Sequence, residues 1–368
     1  MENAEIIKVS VVMPIYNAYK YIRPALESVM EQTLREIEII CVDDGSTDHT
    51  LDILKEYQSK DARIRIITEN NAGPAAARNK GLSRVRGEYV IFLDADDFFN
   101  PSLLEKLYEV AIRDQLDISI CRYDIYNGRK AKFEHNIKSD HGEIFAPGKV
   151  VSKNEYPDQI LQCTTGYVWN KMYRTAFLQE KNLVFNPDLR VFEDTFFVVT
   201  SLSIAERVGK IDDCLVHHRV YFAQSRNKLF RKHYKCVPDI YLKIKNFLMS
   251  HGMYIPLSQS YLNLSASRCY KTYNLLWRDA KEEFWDMLHE GYAEQLGWDK
   301  AEADDFEQDE VRDFIANVLM YTHKQYVKRE SRGEKVRISD VARTIKALNA
   351  RKKIKEFFTK LFKKKKEE

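Results

Sequence analysis

From Val9 to Tyr126 the chain alternates short apolar runs with longer amphipathic ones. VSVVMPIY, from Val9, predicts a buried strand, and the apolar spacing from about Ile22 to Gln32 predicts a helix with Pro24 near its first turn. IEIICVDDG then predicts a second strand ending in a turn, and DHTLDILKEYQSKD a second helix. RIRIITE, GPAAARNKGLSRV and EYVIFLDADD continue as strand, helix and strand. Asn100 and Pro101 are expected to open the helix SLLEKLYEVAIRD, as cap residue and first helical position, before a fifth strand, LDISICRYDIY.

Strands alternating with crossover helices predict an α/β fold whose mostly parallel sheet is covered by helices on both faces. Such sheets bind ligands beyond the carboxyl ends of their strands. Asp43 and Asp44 follow the second strand, Asn70 and Asn71 the third, and Asp94, Asp96 and Asp97 close the fourth. Beyond Tyr126 the polar stretch NGRKAKFEHNIKSDHGEIF breaks the pattern. A second patterned region runs from about Gln159 to Phe222, and after Arg231 the chain reads as helical and rich in tyrosine. The expected division is 1–125 and 126–230 as two halves of one catalytic domain, 231–350 as a helical C-terminal region, and 351–368 as a basic amphipathic tail.

A net charge of +3 on 368 residues excludes a polycation, so any basic surface must be local, and no nucleic-acid partner is expected. The six cysteines show no CxxC pair, and MENAEIIK lacks the basic start and apolar core of a signal peptide. A cytoplasmic protein is expected, with any membrane contact peripheral, because no run approaches the roughly 20 apolar residues a spanning helix needs. Self-association is left open.

The segment VIFLDADDFFNP brings Asp94 and Asp96 together, and carboxylates held this close repel unless a cation lies between them. Capping of the following helix, or simple solvation, is the competing reading. Gly45 allows the turn that points Asp43 or Asp44 along the sheet edge, toward a pyrimidine N3–H or ribose hydroxyls, while the same residues suit an Asx turn. Arg78, on an alanine-rich helix after Asn71, offers a fork of donors to phosphate oxygens or to the strand-end aspartates.

The series PIYN (Pro14, Ile15, Tyr16, Asn17), VDDGSTD, NNAGPAAARNKG, FLDADD, WNKMYR and FEDTFF, in this order over roughly residues 8 to 225, resembles glycosyltransferase family 2. The resemblance implies a GT-A type Rossmann-like fold and an inverting transferase that takes a sugar from a nucleotide diphosphate, usually of uridine. It implies that Pro14, Tyr16, Asn17, Asp43 and Asp44, with Asn71 and Arg78, hold the nucleotide. Asp94 and Ala95 would contact ribose or donor, and Asp96 would ligate Mg or Mn on the diphosphate. Asp194, with Glu193 as the alternative, would be the catalytic base. His217, His218 and Arg219 become candidates to face the metal or diphosphate, and Trp169 to stack on a sugar or fill the core.

The chemistry agrees with these roles. A diphosphate leaves well only when its charge is met, and an acceptor hydroxyl needs a base within hydrogen-bond reach. One base opposite the leaving group gives a single displacement and inversion. Phe192, Phe196 and Phe197 flank the acidic pair, and apolar surroundings raise a carboxyl pKa toward a base's working range. The acceptor is expected to be a glycan or lipid-linked glycan. Transfer to polyprenyl phosphate and a silent nucleotide-sugar-binding scaffold are the alternatives. In the tail, Ile354, Phe357, Phe358, Leu361 and Phe362 recur at helical spacing among lysines, which suits an anionic membrane surface or a helix docked on the protein.

Overall fold

The computed structural model describes residues 6–128, 132–134, 144, 148–189, 191–220, 232–302 and 305–334. The chain divides into two compact units, Met1–Leu229 with Asn246–Leu257, and Phe230–Lys245 with Ser258–Glu368.

The first unit is built on a sheet in which β1 (Val9–Ile15) pairs in parallel with β2 (Ile37–Asp43) and β4 (Tyr89–Phe92), while β3 (Ile64–Thr68) continues in parallel beyond β2. On the far side of β4 lie β9 (Lys171–Arg174), β6 (Ile118–Asn127), β10 (Val208–Val220) and β5 (Phe98–Phe99). β9 runs antiparallel to β4 and β6 and leads into helix α5 (Thr175–Glu180), and β10 runs parallel to β6. β7 (Lys132–Glu134) and β8 (Val150–Val151) extend the sheet off β6 and β10.

Alternation along the strands sorts the two faces of the sheet. Val9, Val11, Met13 and Ile15 share one core with helices α1 (Ile22–Met30), α2 (Thr50–Gln58) and α4 (Leu103–Arg113). Val12 and Phe92 face the other way, where α3 (Pro74–Leu82) and α6 (Glu193–Ile204) pack. Phe197 of α6 has no exposed surface, stacks on Phe185 with centroids 4.0 Å apart, and meets Phe92 edge-on at 5.7 Å. These aromatic pairs set the depth at which α6 sits on the sheet, and α6 begins with Glu193 and Asp194.

Two expected boundaries shift. β4 stops at Phe92, so Asp94 to Asp97 lie in the following loop, where Leu93 N still donates to Val12 O. The helix expected to begin at Pro101 begins at Leu103. Asn100 Oδ1 accepts from Ser102 N and Oγ, which holds Asn100 to Ser102 in a turn just before the helix and leaves Pro101 outside it.

The second unit is helical, with Ser258–Leu275, Arg278–Met287, Asp309–Met320 and His323–Glu330 among its elements. Its core holds Trp285 and Trp298, whose ring N–H groups donate to Tyr321 O and Ser265 Oγ. A buried indole with its one donor satisfied adds apolar area without a desolvation cost. Among the described residues no helix is long and apolar enough to cross a membrane.

Candidate active site

In the order β3-β2-β1-β4 the sequence of strands reverses at β1, and the reversal leaves a crevice between the carboxyl ends of β1 and β4. A cleft of about 640 Å³ occupies this place. Pro14, Tyr16 and Asn17 line it from the end of β1, Asp44 from β2, Asn71 and Arg78 from the β3–α3 connection and α3, Asp94 to Asp96 from the β4 loop, and Glu193 from α6.

The nucleotide-side loops brace one another. Asn17 adopts a left-handed backbone (φ 48°), and its Oδ1 accepts from Thr47 N at 2.8 Å while its own N–H donates to Ser46 Oγ at 3.0 Å. Asp44 accepts from Ala72 N and Gly73 N at 2.8 and 2.9 Å, so its carboxylate holds the loop before α3. Gly45 (φ 71°) makes this possible, since a side chain there would press within 3.0 Å of Asn71 N. Asp43, the last residue of β2, is buried, and its Oδ1 has no hydrogen-bond partner among the described residues. A buried carboxylate oxygen without a donor is costly, and a ligand N–H or hydroxyl would relieve it.

Arg78 is buried against the Phe185 ring and spans the cleft floor. Its Nη2 donates to Asp94 Oδ1 and its Nη1 to Glu193 Oε1, each at 2.8 Å. These acids lie on two different elements, and the guanidinium between them is held firmly charged. Asp194 follows Glu193, and burial, then the Glu193 charge, push its carboxyl up to about 7. Its Oδ1 accepts from Thr195 N at 2.7 Å. The helix starts from Phe192 in a left-handed conformation (φ 60°), which for a bulky residue costs about 1–3 kcal/mol and aims the acidic first turn.

Asp94, Asp96 and Asp97 each bring a carboxylate oxygen to within 4.8 Å of the others. Asp97 is fully buried and committed, with His218 Nδ1 at 3.0 and 3.1 Å from its two oxygens and Arg219 N donating at 2.8 Å. Asp96 has no ion pair among the described residues. Burial of the loop, then the charges of Asp97 and Asp94, push its carboxyl up to about 7. The Asp96 side chain itself is exposed. Water therefore tempers the first effect, and the repulsion persists. An exposed carboxylate repelled by two others, with oxygen ligands only, fits a hard divalent cation such as Mn or Mg.

Asp43, Asp194, His217, His218, Trp169 and Arg219 of the expected site are not among the residues that line the cleft. Successive strand residues face opposite ways, so His217 turns from the acids to pack between the Phe98 and Phe133 rings, each 5.0 Å away. His217 is therefore corrected from metal candidate to a ring in an aromatic cluster. Trp169 is stacked between Tyr167 and His218 and is 2% exposed, which removes it as a surface for a sugar. Arg219 lies over the Phe98 and Tyr126 rings and donates from Nε to Asp96 O, so it braces the acid loop from outside the cleft. His218, on the acid side, reaches Asp97. Tyr167, whose ring packs on Trp169 and His218, and Lys171, whose ammonium donates to Tyr167 O, also border this region, and nothing in the local sequence pattern signals either contact.

This crevice in this sheet is the architecture of a GT-A type glycosyltransferase. TarS of S. aureus (residues 1–349, in complex with UDP-GlcNAc) shares the fold with a TM-score of 0.69 over 90% of this chain and 93% of that one, at 22% identity. The model of glycosyl transferase family 2 matches residues 10–180. EpsJ of Bacillus subtilis (strain 168), an uncharacterized glycosyltransferase, is 33% identical over 243 residues, 64% of this chain and 66% of EpsJ. EpsH of the same organism is 32% identical over 247 residues, 66% of this chain and 70% of EpsH. The chain belongs to glycosyl transferase family 2. It spans about two thirds of the length of EpsJ.

Proposed function

We propose that this chain is an inverting, metal-dependent transferase that moves a hexosyl or N-acetylhexosaminyl group from a UDP-sugar to a hydroxyl of a glycan or lipid-linked glycan in surface polysaccharide synthesis. The observation that carries this reading is the Arg78 bridge. One buried guanidinium ties Asp94, a member of the acid cluster, to Glu193, beside Asp194, so the leaving-group side and the base side are held across one cleft.

Tyr16, Asn17, Asn71 and the unsatisfied oxygen of Asp43 take the nucleoside, with Pro14 and Ala95 as walls. The UDP-GlcNAc complex of TarS, which shares this fold, supports a uridine donor. Asp96 with Asp94 would hold Mn or Mg, which when bound offsets the charge developing on the departing diphosphate. Asp194 takes the proton of the acceptor hydroxyl from the opposite side of the sugar, and inversion follows from the single displacement. Its raised pKa keeps it basic enough for that proton near neutral pH.

Donor hydrolysis and thermal shift across UDP-, GDP-, CMP- and dTDP-sugars, with and without Mn, test the proposal. UDP-sugars with Mn are expected to raise the melting temperature and release UDP, since ligand at 100 times its Kd stabilises by about 2.7 kcal/mol. A preference for another nucleotide removes the uridine assignment. Binding without any hydrolysis points to a silent scaffold.

The membrane expectation falls on 351–368, outside the described residues. The proposal gives that segment an anionic membrane surface at the cytoplasmic face as its partner, on its apolar and lysine pattern. Deleting 351–368 should release the protein from anionic vesicles and spare turnover on a soluble acceptor. Equal binding to neutral vesicles, or indifference to salt, would remove the electrostatic reading.

A further inference from the structure

β9 begins with a buried cation that the proposed chemistry does not use. Lys171, the first residue of β9, has no exposed surface. Its ammonium donates to Thr165 O at 2.9 Å, Tyr167 O at 2.7 Å and Asn170 Oδ1 at 2.7 Å. Nζ thus folds back over the loop that immediately precedes β9 and satisfies three oxygens of that loop. Asn170 ties the same loop to β6, donating from Nδ2 to Cys121 O at 2.8 Å and accepting Cys121 N at its own carbonyl at 3.1 Å.

The clamped loop touches both sides of the site. At Gly166 it lies so close to α6 that a Cβ there would stand 2.5 Å from Thr195 Oγ1 and 3.2 Å from Thr195 Cα. Thr195 N is the donor to Asp194 Oδ1. At the other end Trp169 stacks on His218 with centroids 5.3 Å apart and planes at 19°, and His218 holds Asp97. One loop of six residues therefore abuts the turn bearing Asp194 and the ring bonded to the acid cluster.

We propose that Lys171 is a positioning residue for sugar transfer: its ammonium clamps the Thr165–Asn170 loop so that the loop seats the Asp194 turn against the His218–Asp97 pair. The proposal rests on the reading of Asp194 as the base. Without the ammonium, the Thr165 and Tyr167 carbonyls and the Asn170 amide oxygen lose this shared donor, and nothing from Lys171 then draws the two ends of the loop together. A displacement of about 1 Å at a reacting group can cost about 10²-fold in rate. The nucleotide loops of β1, β2 and α3 make none of the contacts just described, so UDP affinity should not follow.

The test uses the full chain with Mn, UDP binding by calorimetry, and UDP release from whichever UDP-sugar the wild type hydrolyses fastest. Lys171→Met is expected to bind UDP within about threefold of wild type and to turn over at least about tenfold more slowly per UDP-binding site. A lysine that only supports the fold would lower the melting temperature and the number of binding sites while leaving kcat per site unchanged, and that result overturns the proposal.

If Lys171→Met does not fold, Gly166→Ala decides. It pushes on Thr195 without touching the ammonium, and the same selective loss of kcat is expected. Adding Thr195→Ala removes the Oγ1 that the new methyl meets and should recover at least about half of the lost rate. Gly166→Ala at wild-type kcat, or no recovery in the double variant, overturns the clamp. Asp194→Asn is assayed alongside: full activity there defeats the base assignment, whereas Lys171→Met at wild-type speed beside an inactive Asp194→Asn defeats the clamp alone.

Discussion

Asp194→Asn is expected to lower sugar transfer by at least about 10²-fold, the usual cost of losing a general base, while UDP affinity with Mn stays near wild type. The carboxylate must be ionised to accept a proton, and its pKa is pushed up to about 7. At saturating Mn, kcat should therefore rise with pH through about 7 and level off above it, and the asparagine variant should lose that limb. Stability should move the other way. A carboxyl whose folded pKa lies above its unfolded value destabilises the fold at pH above both, and the penalty vanishes below the unfolded value. Asp194→Asn should then melt above wild type near pH 8 and level with it near pH 4. Glu193→Gln keeps an acceptor for Arg78 and should cost less. If Glu193→Gln is inactive and Asp194→Asn is not, the two roles are reversed. Substantial activity in both favours an acceptor that is already anionic, such as a polyprenyl phosphate.

Asp96→Ala is expected to abolish stimulation by Mn or Mg, together with the metal-dependent part of UDP binding. Charge neutralisation by a bound cation contributes several kcal/mol in a transition state, and about 1.4 kcal/mol is tenfold, so a loss of at least about 10²-fold follows. The fold should not suffer, because Asp96 is exposed, has no ion pair among the described residues, and is repelled by Asp94 and Asp97. Its melting temperature should equal or exceed that of the wild type. The same repulsion predicts that Mn affinity tightens as the pH rises above the ordinary carboxylate range, as the carboxylate gives up its proton to bind. Calorimetric titration of Mn in the presence of UDP reads both effects. Wild-type turnover that persists in excess chelator would count against a metal role for Asp96.

Much of the fold was legible because local patterns report local structure. The buried strands β1, β2 and β4 appear as short, mainly apolar runs interrupted inside only by Ser10 and Glu38, and α1 and α4 carry apolar residues at helical spacing. Residues beside a strand end were legible for the same reason: a parallel sheet sends all its carboxyl ends to one edge, so Asn17, Asp44, Asn71 and Asp94 were bound to meet there. β5 could not be read, since two residues, Phe98 and Phe99, have no period and become a strand only by pairing with Val216 and His217.

What the chain alone determined, then, is which acids and amides stand at the edge of the sheet, through strand length and turn chemistry. Tertiary structure decided which of them touch. Arg78 and Glu193 are 115 positions apart, and only the seating of α6 on the Phe92 face brings them to 2.8 Å. His217 and His218 are neighbours in the chain, and the pleat of β10, with its register against β5, sends one to an aromatic cluster and the other to Asp97. Lys171 is an ordinary lysine until the turn before β9 folds three oxygens around it. The physical reason is the same in all three cases: hydrogen bonds and ring contacts act over a few ångströms, and which groups come that close depends on how whole elements pack.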